Sequence, residues 1–143
     1  MAPNEVRIYR FEDVEVGQTE ELAVTITREM VDAFASVTGD INPLHMSEAF
    51  AKSRGHAGRV AHGLLVASLF STIAGTMLPG RDCLIHNVRF DFTRPVLAGE
   101  RVRLEATVVQ TVQALRVVQL ELTAFGEDGA PRVRGRMQAQ FVL

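Results

Sequence analysis

The feature that most constrains the fold is an uncharged segment at positions 64–78. Only Ser, Thr, Ala and Gly separate its large apolar residues, which are Leu64, Leu65, Val66, Leu69, Phe70, Ile73, Met77 and Leu78. A helix that is apolar on every side must be buried on every side or lie in a membrane. The segment has about 15 residues, whereas a bilayer requires ~20. We therefore expect a helix that the rest of a water-soluble chain wraps.

Strands are predicted to surround this helix. Apolar and polar residues alternate with a period of two in several other stretches, which is typical of strands with one buried face. The apolar members are Leu22, Val24 and Ile26; Val88, Phe90 and Phe92; Val102, Leu104, Ala106 and Val108; Val118, Leu120, Leu122 and Ala124; and Val133, Met137, Ala139 and Phe141. Turn sequences at 97–100 and 126–129 separate neighbouring strands. The predicted fold class is α+β, with about five antiparallel strands around one buried central helix. We expect a single domain at 1–143, with an irregular lead-in at 1–15.

Two shorter helices are predicted before the apolar segment. The first begins after Thr27 as N-cap and ends at Gly39; its apolar residues recur at three- and four-residue steps at Met30, Val31, Phe34 and Val37. The second is capped by Ser47 and covers Glu48–Lys52.

Composition narrows the possible partners. A net charge of −2 gives no reason to expect nucleic acid or an anionic membrane. The single cysteine, Cys83, excludes an internal disulfide and a cysteine-based metal site. The four histidines do not have a metal-ligand spacing, so we expect no metal and no cofactor. Positions 1–17 mix charged residues with isolated apolar ones and offer no signal-peptide core, so we expect a cytoplasmic protein.

The loop at positions 39–45 has the composition of a stiff catalytic segment. Pro43 restricts its own φ and the conformation of Asn42 before it. Asp40 and His45 are thereby presented from a bend with few alternative conformations, which suits general acid and base catalysis. Taken alone, Asp40 is better explained by an Asx turn, and His45 by a packed or solvated loop histidine.

The same loop resembles that of a known family. The matching residues are Phe34, Gly39, Asp40, Asn42, Pro43, Leu44, His45, Ala49 and Ala51; Val60–Ser71 and Leu78–Gly80; and Phe90, Phe92, Pro95, Val96 and Gly99. This pattern is similar to the hydratase-2 signature of MaoC-like, (R)-specific enoyl-CoA hydratases, over about residues 15–143. The resemblance implies a hotdog fold, hydration of a trans-2-enoyl-CoA to an (R)-3-hydroxyacyl-CoA, and at least a homodimer.

The resemblance also assigns roles to residues. It makes Asp40 and His45 the acid and base pair, and the backbone N–H of Gly63 the donor to the thioester oxygen. The predicted helix supports the last assignment independently, because N–H groups in a first helical turn lack intrahelical partners and the dipole there favours negative charge. The residues expected to bind or orient the substrate and the catalytic groups are Asn42, Ser71, His62 and Leu65. For His56 and His86 we expect no catalytic role.

Other functions remain open at this point. Hotdog thioesterases and FabZ-like dehydratases commonly place a carboxylate on the central helix, whereas positions 64–78 contain no Asp or Glu. A MaoC-like 3-hydroxyacyl thioester dehydratase is the nearest alternative, since it runs the same reaction in reverse. A non-catalytic acyl-CoA binding protein is an alternative of another class.

Several arginines are candidates to contact the phosphates of coenzyme A. Arg132, Arg134 and Arg136 alternate along one predicted strand and should share one face. A solvated outer face explains this row at least as well. Arg54 and Arg59 are comparable candidates near the expected mouth of the site.

Overall fold

The computed structural model describes residues 4–142. The strands are β1 Thr19–Thr25, β2 Cys83–Phe92, β3 Arg101–Val112, β4 Val117–Phe125 and β5 Pro131–Phe141; the helices are α1 Arg28–Thr38, α2 Pro43–Met46, α3 Glu48–Ser53 and α4 Gly63–Thr72. A π-helical turn, Ile73–Met77, continues α4, and short 3₁₀ turns cover Phe11–Asp13 and Gln113–Leu115. The strands form one antiparallel sheet in the order β1-β3-β4-β5-β2. The predicted α+β class with a five-stranded sheet and a central helix is confirmed.

Capping residues set the limits of the early helices as predicted. The side chain of Thr27 accepts a hydrogen bond from the Met30 N–H at 3.1 Å, and Ser47 does the same for Phe50 at 3.2 Å. Gly39 ends α1 in the left-handed conformation, with φ of 79°. These bonds satisfy backbone donors that a helix terminus leaves free. They therefore fix where the intervening loop begins and ends.

One face of the sheet packs on α4. The core combines Val66, Phe70 and Ile73 of the helical segment with Leu104 and Leu120 of the central strands. None of the helices in residues 4–142 is long and apolar enough to cross a membrane.

The central helix is not buried on every side within one chain, which corrects the sequence-based expectation. Leu64 is 63% exposed, and Ser68 and Ser71 are also exposed, so one stripe of α4 faces outward. A single sheet covers only one side of a helix, which is the physical reason. The outermost strand β2 is similarly open, with Leu84 and Phe92 about half exposed.

Candidate active site

The loop between α1 and α2 is held by its own side chains. Asp40 Oδ1 accepts a hydrogen bond from the Asn42 N–H at 3.2 Å, and Asn42 Oδ1 accepts one from the Leu44 N–H at 2.9 Å. The first bond is the Asx turn foreseen for Asp40, and the second caps α2, where Pro43 takes the first helical position. Asn42 therefore orients the loop. Because only Oδ1 of Asp40 is used in this turn, Oδ2 stays available.

The ring of His45 is oriented by a backbone carbonyl. Its Nδ1 lies 2.7 Å from the Val60 oxygen, and its Nε2 lies 4.0 Å from Asp40 Oδ2. A carbonyl only accepts hydrogen bonds, so Nδ1 carries the hydrogen and the neutral ring has its lone pair on Nε2. The lone pair and the free carboxylate oxygen thus lie side by side. Val60 was not predicted as a site residue, since a carbonyl contact leaves no trace in side-chain chemistry.

His62 joins the loop to the start of α4. It is only 2% exposed, its Nε2 donates to the Asp40 carbonyl at 2.9 Å, and its ring stacks on His45 with centroids 3.8 Å apart. The Phe34 ring lies 4.9 Å away by centroid. His62 Nδ1 is buried and has no hydrogen-bond partner among residues 4–142. This contact set makes His62 a positioning residue between Asp40 and His45.

Gly63 opens α4 with a free backbone donor. No acceptor for its N–H occurs among residues 4–142. A Cβ at this position would lie 2.9 Å from the ring of Phe92, which is closer than a side-chain carbon normally approaches. The absence of a side chain therefore lets Phe92 pack over the helix start, and the helix dipole favours negative charge there.

An apolar cavity of about 430 Å³ borders these groups. His45 and Gly63 both line it, and its remaining lining residues are Val60, Ala61, Leu64, Val66, Phe92, Thr93, Arg94, Pro95, Val96 and Val133. This volume lies within the range of small-ligand sites, which are mostly apolar with a few polar groups. The cavity therefore fits a ligand with an apolar portion that ends near His45 and Gly63.

Asp40, His45 and His62 also form the one cluster of potential metal ligands found in the described part of the chain, with ligand atoms within 4.8 Å of one another. The geometry does not suit a metal. The two imidazole planes are only 30° apart and stacked, so their in-plane lone pairs cannot converge on one ion. His62 Nε2 is in addition occupied as a donor to the Asp40 carbonyl. The cluster fits proton transfer better.

Two predicted site residues lie elsewhere. Ser71 is on the exposed stripe of α4 and Leu65 is in the hydrophobic core, and neither lines the cavity. The structure thus brings together Asp40, His45, His62 and Gly63, with Asn42 supporting the loop.

Two arginine expectations are wrong. Arg132 does not share a solvated face with Arg134 and Arg136, because its side chain is only 10% exposed and pairs with Glu100 at 2.7 Å. Arg59 is likewise not free for a phosphate. Its side chain is 11% exposed, donates to the His45 carbonyl and pairs with Asp32.

Comparison with known proteins gives a consistent result. The sequence profile of the MaoC like domain matches residues 12–125. The chain is 40% identical over 119 residues to the 3-hydroxybutyryl-CoA dehydratase of Methylorubrum extorquens, covering 83% of this chain and 76% of that one. It is 33% identical over 123 residues to the (R)-specific enoyl-CoA hydratase of Rhodospirillum rubrum, covering 86% and 85%. The solved structure of the Aeromonas caviae (R)-hydratase superposes with a TM-score of 0.89 at 32% identity, covering 91% of this chain and 98% of that one.

Proposed function

The chain belongs to the MaoC-like domain family, and on that premise we propose that it hydrates trans-2-enoyl-CoA to (R)-3-hydroxyacyl-CoA. One observation carries the proposal. The free oxygen of Asp40 and the lone pair of His45 lie 4.0 Å apart beside a cavity that the free N–H of Gly63 also borders. Hydration needs a base for water, an acid for C2 and a donor for the thioester oxygen.

Asp40 and His45 are the acid and base pair in this proposal. A water oxygen at about 2.8 Å from both Asp40 Oδ2 and His45 Nε2 satisfies ordinary hydrogen-bond lengths. As the water oxygen bonds to C3 of the enoyl group, its proton moves to the pair, and the pair delivers a proton to C2. His45 suits this because Nδ1–H stays bound to the Val60 carbonyl while Nε2 gains or loses its proton.

Gly63 is the proposed oxyanion donor. Addition at C3 moves electron density onto the thioester oxygen, so charge develops there in the transition state. The N–H at the first position of α4 is free to stabilise that charge, and the helix dipole has the favourable sign. Removing one such donor typically costs about 3 kcal/mol of barrier.

We further propose that the working form is a homodimer. The open stripe of α4 and the exposed apolar side chains of β2 lie on the surface that the sheet of one chain leaves uncovered. An unpaired edge strand with apolar side chains is a ready template for a second copy. Antiparallel pairing of two β2 strands would extend the sheet and bring these surfaces toward a partner.

A second candidate is dehydration of a 3-hydroxyacyl thioester. It is favoured by the relative from Methylorubrum extorquens, whose name describes that reaction. The same groups serve both directions, so equilibrium and substrate supply decide between them. A binding protein without turnover is the remaining alternative.

The test is loss of enoyl absorbance with crotonyl-CoA, together with the configuration of any 3-hydroxybutyryl-CoA formed. Asp40→Asn and His45→Ala should each lower kcat by about 10² to 10⁴, the usual contribution of a positioned acid or base. Asp13→Asn is a matched control for Asp40→Asn at an exposed position and should retain activity.

Other outcomes would overturn the proposal. A folded wild-type chain that turns over no short, long or branched enoyl-CoA is not a hydratase of this class. Release of free coenzyme A in the same assay would indicate a thioesterase, and binding without turnover a binding protein.

A further inference from the structure

The segment of residues 93–100, here called the wall segment, connects β2 to β3 and forms one side of the cavity. Its first four residues line the cavity directly. The segment is not regular secondary structure along most of its length. What holds it in place therefore decides the shape of the cavity on that side.

The middle of the wall segment is bound to the chain that leads into α4. Ala61 N–H donates to the Val96 carbonyl at 2.8 Å, and Ala98 N–H donates to the Arg59 carbonyl at 2.8 Å. Val60, whose carbonyl orients His45, forms a β-bridge with Leu97 between these bonds. The wall segment is thus tied to the backbone that immediately precedes His62 and Gly63.

Arg132 contacts both ends of the wall segment, one of them through a buried ion pair. Arg132 Nη2 and Nε both donate to Glu100 Oε1, at 2.7 and 3.0 Å. At the same time the Arg132 carbonyl accepts the Thr93 N–H at 2.9 Å, and Glu100 Oε2 accepts the Leu97 N–H at 3.1 Å. The two side chains are 10% and 14% exposed. Arg132 therefore holds the first residue of the segment through its carbonyl and the last through its side chain.

Gly126 provides the space for this pair. A Cβ there would collide with the guanidinium of Arg132 and lie 2.5 Å from Glu100 Oε1. The φ of Gly126 is outside the left-handed region, so alanine is sterically acceptable to the backbone itself. Gly126→Ala is for that reason a way to displace the ion pair without changing any charge.

We propose that Arg132 and Glu100 are positioning residues that set the width of the cavity, and thereby the range of acyl chains accepted. This rests on the proposed function for its substrate class. Removing the constraint lets the wall segment move away from Gly63 and Phe92. The kcat/KM for longer acyl chains then rises relative to that for short ones. Asp40 and His45 themselves are not substituted.

The experiment compares Gly126→Ala with Gly58→Ala, whose added Cβ meets nothing within 4 Å. For each variant, kcat and KM are measured with crotonyl-CoA and with 2-octenoyl-CoA. Gly126→Ala should raise the C8 to C4 ratio of kcat/KM by about fivefold or more, with kcat for crotonyl-CoA within about threefold of wild type. Gly58→Ala should match the wild type.

Glu100→Gln keeps the side-chain volume and removes the charge, so it should change the ratio in the same direction. Glu100→Asp restores the charge on a shorter side chain and should recover part of the wild-type ratio. A merely structural role would lower stability without moving the ratio. An unchanged ratio in both Gly126→Ala and Glu100→Gln would overturn the proposal.

Amide hydrogen exchange gives a readout that does not depend on catalysis. The N–H groups of Ala61 and Leu97 should exchange about tenfold faster or more in Glu100→Gln than in wild type, because local opening of the wall segment exposes them. Unchanged exchange would contradict the positioning role. A wild-type chain without activity on any enoyl-CoA would instead remove the proposed function while leaving this result to stand.

Discussion

Replacing His62 by phenylalanine separates stability from catalysis at this site. The substitution keeps an aromatic ring between His45 and Phe34, although the phenyl ring is larger than the imidazole. It removes the hydrogen bond from Nε2 to the Asp40 carbonyl, and it also removes Nδ1, a buried atom without a partner in the described part of the chain. The two losses act in opposite directions on the free energy of unfolding.

The magnitudes follow from these contacts. Loss of the bond costs about 1 kcal/mol net, whereas removal of an unsatisfied buried atom returns about 1 to 3 kcal/mol. The larger ring costs about 1 to 3 kcal/mol through overpacking, so the free energy of unfolding of His62→Phe should lie within about 3 kcal/mol of wild type. The Asp40 carbonyl loses this hydrogen bond, and a displacement of about 1 Å in a catalytic group can cost 10²-fold, so kcat should fall by about 10- to 100-fold.

His62→Gln is the matched variant, since it keeps a side-chain donor and loses the ring. It loses the ring contacts with His45 and Phe34 and leaves amide atoms without partners in a buried site, so it should be less stable than His62→Phe. Its donor can still hold the Asp40 carbonyl, so its kcat should be higher than that of the phenylalanine variant. Urea unfolding measures the order of the two variants in stability, and steady-state hydration of crotonyl-CoA measures their order in kcat.

The result that would refute the reasoning is a wild-type kcat in His62→Phe. The bond to Asp40 would then contribute nothing to catalysis, and His62 would only fill space. The reasoning would also be contradicted if the more stable of His62→Phe and His62→Gln also had the higher kcat. Loss of folded protein would then explain both measurements.

Two further predictions concern the surface and the cysteine. The purified chain should sediment as a dimer or larger assembly. Val88→Lys, on the exposed side of β2, should shift it toward monomer, whereas Leu115→Lys, also at an exposed position, should not. A monomeric wild type would contradict the proposed interface. Burial raises the pKa of the Cys83 thiol from 9.0 to about 11, so at pH 8 a thiol reagent should modify the folded chain about 100-fold more slowly than the unfolded one; equal labelling rates by mass spectrometry would be inconsistent with that burial.

Local signals in the sequence predict this structure well. Thr27 and Ser47 cap helices, and Gly39 ends one, because each acts on backbone groups within a few residues of itself. Period-two alternation locates the strands for the same reason, although β2 begins at Cys83, before the alternation predicted from Val88 onward. The loop motif likewise selects Asp40 and His45, whose side chains lie 4.0 Å apart in the structure, while their catalytic role stays a prediction.

Contacts between distant positions are what the sequence does not show. Alternation indicates the face on which Arg132 lies, but Glu100, 32 residues away, is the partner that buries it. The stacking of His62 on His45 depends on how α4 meets the loop, which no single stretch encodes. The apolar composition of positions 64–78 indicates burial without saying whether the same chain or a second copy supplies it.

The bond between His45 and the Val60 carbonyl has a consequence for how this site tolerates sequence change. The group that fixes the imidazole belongs to the main chain, so no side-chain replacement at position 60 can delete it. Alanine scanning would therefore score position 60 only for its packing and overlook its part in setting the tautomer. Position 60 can therefore accept any residue compatible with an extended backbone without changing the tautomer of His45.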